Sequence, residues 1–335
     1  MATKVAINGF GRIGRLALRT ILETNRNDLQ VVAINDLGSV DANAHLFRYD
    51  SIHGRFAGTV TTTKDTMDAG KGTMKVLAEK DPGKLPWKDL GVELVLECTG
   101  RFTKRDEAEA HIKAGAKRVL ISAPADGVDL TVVYGVNHDK LQKSHTIVSN
   151  ASCTTNCLSP VAMVLHQAFG IEKGFMTTIH SYTADQRLQD TLHPDPRRSR
   201  AAAMSMIPAS SGVAKAVQLV LPELKGRLDG TAIRVPTPNV SVVDLKFVPT
   251  KKVTAEAINA AFTEAANGKL KGVLNVSNEP LVSMDYNHTT WSSTVDALET
   301  KTVGDNFARV LSWYDNEWGF ACRMIDTAQA MAKLG

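Results

Sequence analysis

Cysteine is scarce in this 335-residue chain, which holds only Cys98, Cys153, Cys157 and Cys322. Four thiols make no disulfide framework at this length and point to a reducing, cytoplasmic compartment. Long apolar runs are missing too: no window approaches the ~18 to 20 apolar residues of a membrane span. The strand-like run KVAINGF begins at Lys4, so no targeting peptide is expected ahead of it. Neither sign of charge is in large excess. The net charge is +4 and charged residues make up 22%, an ordinary globular value that argues against disorder. So mild a basic balance suits anionic small molecules and does not imply nucleic acid. Internal repeats and low-complexity linkers are absent. What is present is 43% apolar residues, ample for a core, in a length comfortable for two domains.

The first 150 residues alternate strand and helix patterns. KVAING reads as a short buried strand, and FGRIGRLALRTILETN has apolar residues at helical spacing. Between them lies Gly9-Phe10-Gly11-Arg12-Ile13-Gly14, a G-x-G-x-x-G. Alone, such a pattern fits any tight turn. Here it sits where a strand ends and a helix opens, so backbone can approach a pyrophosphate and free N–H groups face it. A second strand, LQVVAIND, ends at Asp36, at about the ~20-residue spacing expected of the carboxylate that holds a ribose 2′-hydroxyl. A 2′-phosphate would be repelled there and DLGSV offers no adjacent arginine, so NAD is expected over NADP. TMKVLAEKDPGKLPW, VELVLECTG and EAEAHIKAGAKRVLISAPA continue the alternation. The pattern predicts an α/β fold with a doubly wound parallel (Rossmann) sheet. Thr99 and Ser122 fall at carboxyl ends of its strands, where ligands bind and where ordinary turn chemistry also places such residues.

The stretch SNASCTTNCLSP joins the strand TIVSN to the helical run LSPVAMVLHQAFG, which should stop at Gly170. Cys153 therefore lies at or near the first turn of a helix. Free N–H groups and the helix dipole lower a thiol's pKa there and are ready to hold an oxyanion. A cysteine more often packs as a small hydrophobe, and that reading is kept for Cys98, Cys157 and Cys322. Cys153 and Cys157 are spaced i, i+4, but no second Cys/His pair lies nearby, so no metal site is expected. His180 ends the strand-like FMTTIH ahead of the polar SYTADQR. At a strand end it can face a cleft or be a satisfied loop histidine; spacing alone does not pair it with Cys153. Arg197, Arg198 and Arg200 form a basic loop, a charge run that reads first as a solvated face. Arg234 lies between apolar segments and must find an anion or solvent. Ser210-Ser211-Gly212 opens another helix, VAKAVQLVLPEL, with free N–H groups at its start.

INGFGRIGR, ASCTTNCLSP, HSYTADQR, IPASSGVAKAV, LKGRLDGTAIRVPTPNVSVVDL and SWYDNEWGF together resemble the type I phosphorylating glyceraldehyde-3-phosphate dehydrogenases, from end to end. The resemblance implies Cys153 as nucleophile and His180 as its base. It implies NAD contacts at Arg12, Ile13, Asp36, Lys80, Ser122 and Asn316. It implies two anion sites, for D-glyceraldehyde 3-phosphate and for inorganic phosphate, drawn from Ser152, Thr154, Thr183, Arg198, Ser211, Gly212 and Arg234. It also implies a homotetramer with the loop near residues 184–204 between subunits. Five positions depart from the common pattern: Lys80 stands for arginine, Ser211 for threonine, Phe320 for tyrosine, and the pair Thr191-Leu192 matches neither cofactor class.

The cofactor domain is expected over about 1–150, completed by a C-terminal helix over 316–335. The catalytic domain, about 151–315, carries the strand-like TPNVSVVDLKFVP, LVSMDY and ARVLSWYD, which predict an α+β layer with a mixed or antiparallel sheet. The C-terminal run EWGFACRMIDTAQAMAKL reads as an amphipathic helix that, by resemblance, packs back on the cofactor domain. Rival readings are a sister dehydrogenase acting on erythrose 4-phosphate, a hydrolytic cysteine enzyme, and an RNA-holding protein. The hydrolase has no use for the glycine fingerprint, and the binding protein has none for a cysteine at a helix start.

Overall fold

The computed structural model describes residues 2–335. The chain divides into two compact units. The first comprises the chain up to Val132, His138–Ser152 and Ala321–Gly335; the second comprises Val133–Asn137 and Cys153–Phe320.

The first unit is built on a nine-stranded sheet. Its parallel portion runs, in spatial order, Thr73–Leu77, Leu29–Asn35, Thr3–Asn8, Leu94–Glu97, Arg118–Ile121, Ile147–Ser149 and Leu130–Thr131. These strands are short apolar runs because both faces are covered. Val5, Ile7, Leu94 and Leu96 point into one core cluster, while Ala6 and Val95 point into the other. The doubly wound sheet expected from the alternation is present. The sequence did not signal its edge, where Thr61–Thr62 and Thr66–Asp68 add an antiparallel extension. Strands of two and three residues are too short to show a period.

The second unit holds an eight-stranded mixed sheet, in the order Ile207–Ala209, Leu228–Val235, Ile171–Ser181, Ser241–Pro249, Ala308–Tyr314, Ser293–Asp296 and Leu274–Ser277, with Lys301–Thr302 on Ala308–Tyr314. The helix Cys153–Phe169 packs across its central strands and against the helices Val213–Val220 and Ala255–Asn267. Gly170, with φ +69°, ends the first of these as expected. Strand periodicity shows in Ile171–Ser181, where Met176, Thr178 and His180 are buried and Phe175 is exposed.

Two elements differ from the sequence reading. LVSMDY is no strand: Ser283–Tyr286 forms a 3₁₀ turn, with the Asp285 carboxylate accepting from the Val282 N–H at 2.8 Å. A local cap of this kind outcompetes a weak strand pattern. The C-terminal helix, Trp318–Ala332, is buried on nearly every side rather than amphipathic, and even Arg323 and Asp326 are buried as an ion pair. Its Met324, Ile325, Ala328 and Met331 belong to the core of the first unit. Among the described residues, no helix is long and apolar enough to cross a membrane.

Candidate active site

In the first unit, strand order reverses at Thr3–Asn8, with Leu29–Asn35 on one side and Leu94–Glu97 on the other. Ligands of open α/β sheets lie at such switch points. Gly9 has φ +89°, and a Cβ there would stand 2.6 Å from the Thr99 nitrogen. A Cβ on Gly14 would stand 2.1 Å from the Gly9 carbonyl oxygen, so only glycine lets the helix Arg12–Glu23 pack so close. Gly11, just before that helix, faces open space. The Asp36 carboxylate accepts from the Phe10 N–H at 2.7 Å and the Gly38 N–H at 3.2 Å, which fixes it beside the glycine turn. A crevice of ≈ 480 Å³ is lined by Gly9, Gly11, Asp36, Lys80 and Thr99 among others. Cleft, glycines and carboxylate fit a dinucleotide. Ser122 sits half-buried with its hydroxyl on the Cys98 thiol, and Ile13 packs against the core.

Arg12 forms a two-pronged ion pair with Asp50, a partner the sequence reading did not find. Burial pushes Asp50 up, but the Arg12 guanidinium and the N–H groups of His53 and Ile52 outweigh it and hold the carboxyl at about 2, against an ordinary 3.8. A depressed carboxyl stabilises the fold above its unfolded pKa and loses that contribution as pH falls through the folded value. Arg12→Met should therefore lower the urea-unfolding free energy by about 2 kcal/mol near pH 6. The gap to the parent should close between about pH 4 and pH 2; a gap that stays constant with pH would refute the assignment.

The thiol centre lies in the second unit. The strand Ile147–Ser149 ends with the Ser149 hydroxyl accepting the Ala151 N–H at 3.0 Å. Ala151 adopts φ +56°, and the helix begins two residues later, with Cys153 as its first residue. Cys153 Sγ is 3.4 Å from His180 Nε2. His180 comes from the inner face of Ile171–Ser181, whose parallel neighbour Leu228–Val235 sets Arg234 directly opposite it. Arg234 Nη1 stands 2.7 Å from His180 Nδ1 and donates to the Ser181 carbonyl at 3.0 Å. The same carbonyl is 2.7 Å from His180 Nδ1. Arg234 can donate only to a bare Nδ1, whereas an Nδ1 hydrogen would go to the Ser181 carbonyl; in that second tautomer, with Arg234 turned to the carbonyl alone, Nε2 is free to take a proton from sulfur.

Burial, and then the Arg234 charge, pull His180 down to about 3, so the imidazole is neutral at working pH. The thiol departs from expectation. Arg234 and the N–H groups of the helix start do lower the Cys153 pKa, but burial outweighs them and raises it overall. A thiolate here has to form together with an imidazolium, by proton transfer within the pair, so that neither charge is buried alone.

Tyr314 is fully buried, and its hydroxyl bridges Thr154 at 2.9 Å and Thr178 at 2.8 Å. Its ring meets His180 edge-on at 5.9 Å. The Thr154 hydroxyl and backbone N–H also reach the Cys153 thiol. Asn316 accepts at Oδ1 from Ser181 Oγ (2.8 Å) and Ser241 Oγ (2.9 Å). Ser241 follows Val240, a β-branched residue held at φ +68°, a strain of about 1–3 kcal/mol.

Arg198 pairs with Asp185 at 2.6 Å and lies close enough to Arg234 to affect its pKa. The Thr183 hydroxyl donates to Gln186 at 3.2 Å. Ile207 pairs with Arg234 and Ala209 with Ala232, so the chain has moved two rungs from Arg234 before it reaches Ser211 and Gly212 at the start of Val213–Val220. Arg234 and the Ser211-Gly212 turn therefore occupy different rungs, and Ser152 directly precedes Cys153 in sequence. Cys157 is buried against Ser293, with its thiol pushed up to about 12 by burial. Among the described residues, no group of three or more metal-ligating side chains assembles.

Two family models match this chain. "Glyceraldehyde 3-phosphate dehydrogenase, NAD binding domain" covers residues 3–105, and "Glyceraldehyde 3-phosphate dehydrogenase, C-terminal domain" covers residues 152–316. The chain belongs to the glyceraldehyde-3-phosphate dehydrogenase family. It is 64% identical, over the full length of both proteins, to a glyceraldehyde-3-phosphate dehydrogenase of Xanthobacter flavus. It is 59% identical over 99% of each chain to that of Zymomonas mobilis, and 55% identical over all of both chains to that of Geobacillus stearothermophilus. As a member of this family it is an NAD-dependent oxidoreductase. The family's C-terminal domain spans Cys153, His180, Arg234 and Asn316, and its NAD binding domain spans the glycine fingerprint, Asp36, Lys80 and Thr99. Tyr314, Ser181, Ser241 and Asp50 were invisible to sequence reasoning: each is an ordinary polar residue at a strand end or loop, placed by register and burial.

Proposed function

We propose that the enzyme oxidises D-glyceraldehyde 3-phosphate to 1,3-bisphosphoglycerate with NAD and inorganic phosphate, in the cytoplasm. The observation that carries this reading is Cys153 Sγ at a helix start, 3.4 Å from His180 Nε2 with Arg234 on the adjoining strand. The first unit serves as cofactor domain and the second as catalytic domain. Gly9, Gly11, Arg12, Ile13, Gly14, Asp36, Lys80, Thr99, Ser122 and Asn316 hold NAD, which accepts a hydride when bound. His180 takes the thiol proton as sulfur attacks the aldehyde carbon and hands it on to the former carbonyl oxygen, giving a thiohemiacetal and a neutral imidazole again. Free N–H groups at the helix start stabilise the oxygen that gains charge. His180 then takes the hydroxyl proton as hydride departs, leaving a thioester on Cys153. A phosphate oxygen attacks the thioester carbon, the C–S bond breaks, and the thiolate is restored. This requires two anion positions. Arg234, Thr183 and Arg198 suit one, and Ser152, Thr154, Ser211 and Gly212 the other, because their hydroxyls, N–H groups and guanidiniums recognise phosphate.

A homotetramer is part of the proposal. Leu188, Leu192, Met204 and Met206, in and beside the basic loop, are more than three-quarters exposed, and Phe175 is half-exposed on the outer sheet face. Apolar residues so placed suit subunit packing. The test is steady-state kinetics: turnover with NAD and phosphate, little with NADP, and a large loss without phosphate. Equal kcat/KM for erythrose 4-phosphate would move the reading to the sister activity.

A further inference from the structure

Asn8, Asn35 and Glu97 are the last residues of three neighbouring parallel strands, and the register sets all three on one rung, Asn35–Asn8–Glu97. All are at most 5% exposed. Their side chains form a continuous chain. Asn35 donates to Asn8 Oδ1 at 2.7 Å, and Asn8 donates to Glu97 Oε2 at 2.6 Å. Asn35 also exchanges two hydrogen bonds with the backbone of Glu79, at 2.8 and 2.9 Å. Glu97 Oε1 accepts from the Thr99 N–H at 2.8 Å and from the Thr99 hydroxyl. Its Oε2 also takes the Nε2 hydrogen of His111, at 3.0 Å. That hydrogen is on Nε2 because Nδ1 accepts the indole N–H of the fully buried Trp87 at 2.9 Å. The carboxylate thus gathers four donors.

Burying a carboxylate costs several kcal/mol unless donors of this kind meet it, and an apolar rung would stabilise the sheet as well. The row does something an apolar rung does not. Asn8 adjoins Gly9, Asn35 adjoins Asp36, Glu79 adjoins Lys80, and Glu97 holds Thr99 directly. Each of those neighbours lines the dinucleotide crevice. We propose that Glu97 is a positioning residue for NAD: its carboxylate, oriented by the Trp87–His111 pair, holds Thr99 and the Asn8–Asn35 row so that the crevice wall keeps the spacing the cofactor needs. Glutamine at this position offers one oxygen to four donors, and its NH₂ must then face a fixed N–H, either of Thr99 or of the Asn8/His111 pair.

This inference rests on NAD occupying the crevice, so the full-length enzyme is tested with NAD and with ADP-ribose, which lacks the nicotinamide. In Glu97→Gln, KM for NAD and Kd for ADP-ribose should rise together by about tenfold, as expected for an unsatisfied buried donor. The kcat at saturating NAD and the KM for glyceraldehyde 3-phosphate should move less than about twofold, because this rung carries no chemistry. A lowered Tm with both cofactor constants unchanged would reduce Glu97 to a packing role and overturn the proposal. Failure of the parent enzyme to bind ADP-ribose would instead overturn the cofactor reading itself. Should Glu97→Gln not fold, Trp87→Phe keeps an aromatic ring and removes the indole N–H that orients His111, together with part of the buried ring volume. It should raise both constants about threefold, and unchanged constants there overturn the proposal equally.

Discussion

Cys153→Ser should lower kcat for the phosphorylating oxidation by about 10⁴-fold or more while NAD binding persists. The reason is chemical rather than steric. Serine keeps the position at the helix start, but its hydroxyl holds its proton far more tightly than a thiol, so transfer to His180 across the 3.4 Å contact becomes unfavourable. The acyl intermediate would also be an oxygen ester, a poorer acyl donor to phosphate than a thioester. No other thiol rescues the variant. Cys157 is buried against Ser293 with its thiol pushed up to about 12, and burial raises Cys98 as well. The measurements are the steady-state rate with saturating substrate and an NAD titration of the variant. Dehydrogenase turnover retained within tenfold of the parent would end the covalent mechanism.

His180→Asn should cost about 10²- to 10⁴-fold in kcat, the range for removing a general base. A second readout separates base chemistry from packing: the pH dependence of Cys153 alkylation. In the parent, the thiolate forms by handing its proton to a neutral imidazole. In the variant the proton must go to water, and Arg234, the Thr154 hydroxyl and the helix-start N–H groups are left to oppose the burial that raises the thiol. The alkylation midpoint should therefore move to higher pH by about one unit or more. An unmoved midpoint with reduced kcat would mean that His180 acts without exchanging a proton with this sulfur.

The glycine fingerprint was legible because each glycine answers a local requirement. Gly9 and Gly14 fill places where a Cβ would collide with Thr99 or with the Gly9 carbonyl. The position of Cys153 was legible for the same reason, since a strand pattern, a small polar bridge and a helical pattern meet there. The net direction of its pKa was not. The helix start favours the thiolate, but the competing burial comes from packing that sequence spacing does not encode. Ser283–Tyr286 failed as a strand because a carboxylate cap is short-ranged and leaves the apolar alternation unchanged.

By itself the sequence determined the alternating strands and helices of the first unit, the turn that admits a dinucleotide, the carboxylate at Asp36 and the thiol at a helix start. All are local: each depends on residues within one or two elements, where spacing and side-chain chemistry suffice. Only the tertiary structure decided that His180 meets Cys153, 27 residues away, and that Arg234 sits on its rung. It likewise decided that Tyr314 closes the back of the site and that Glu97 gathers Thr99, Asn8 and His111. Those pairings depend on strand register and order, which arise when separate segments bury their faces together, and no segment carries that information alone.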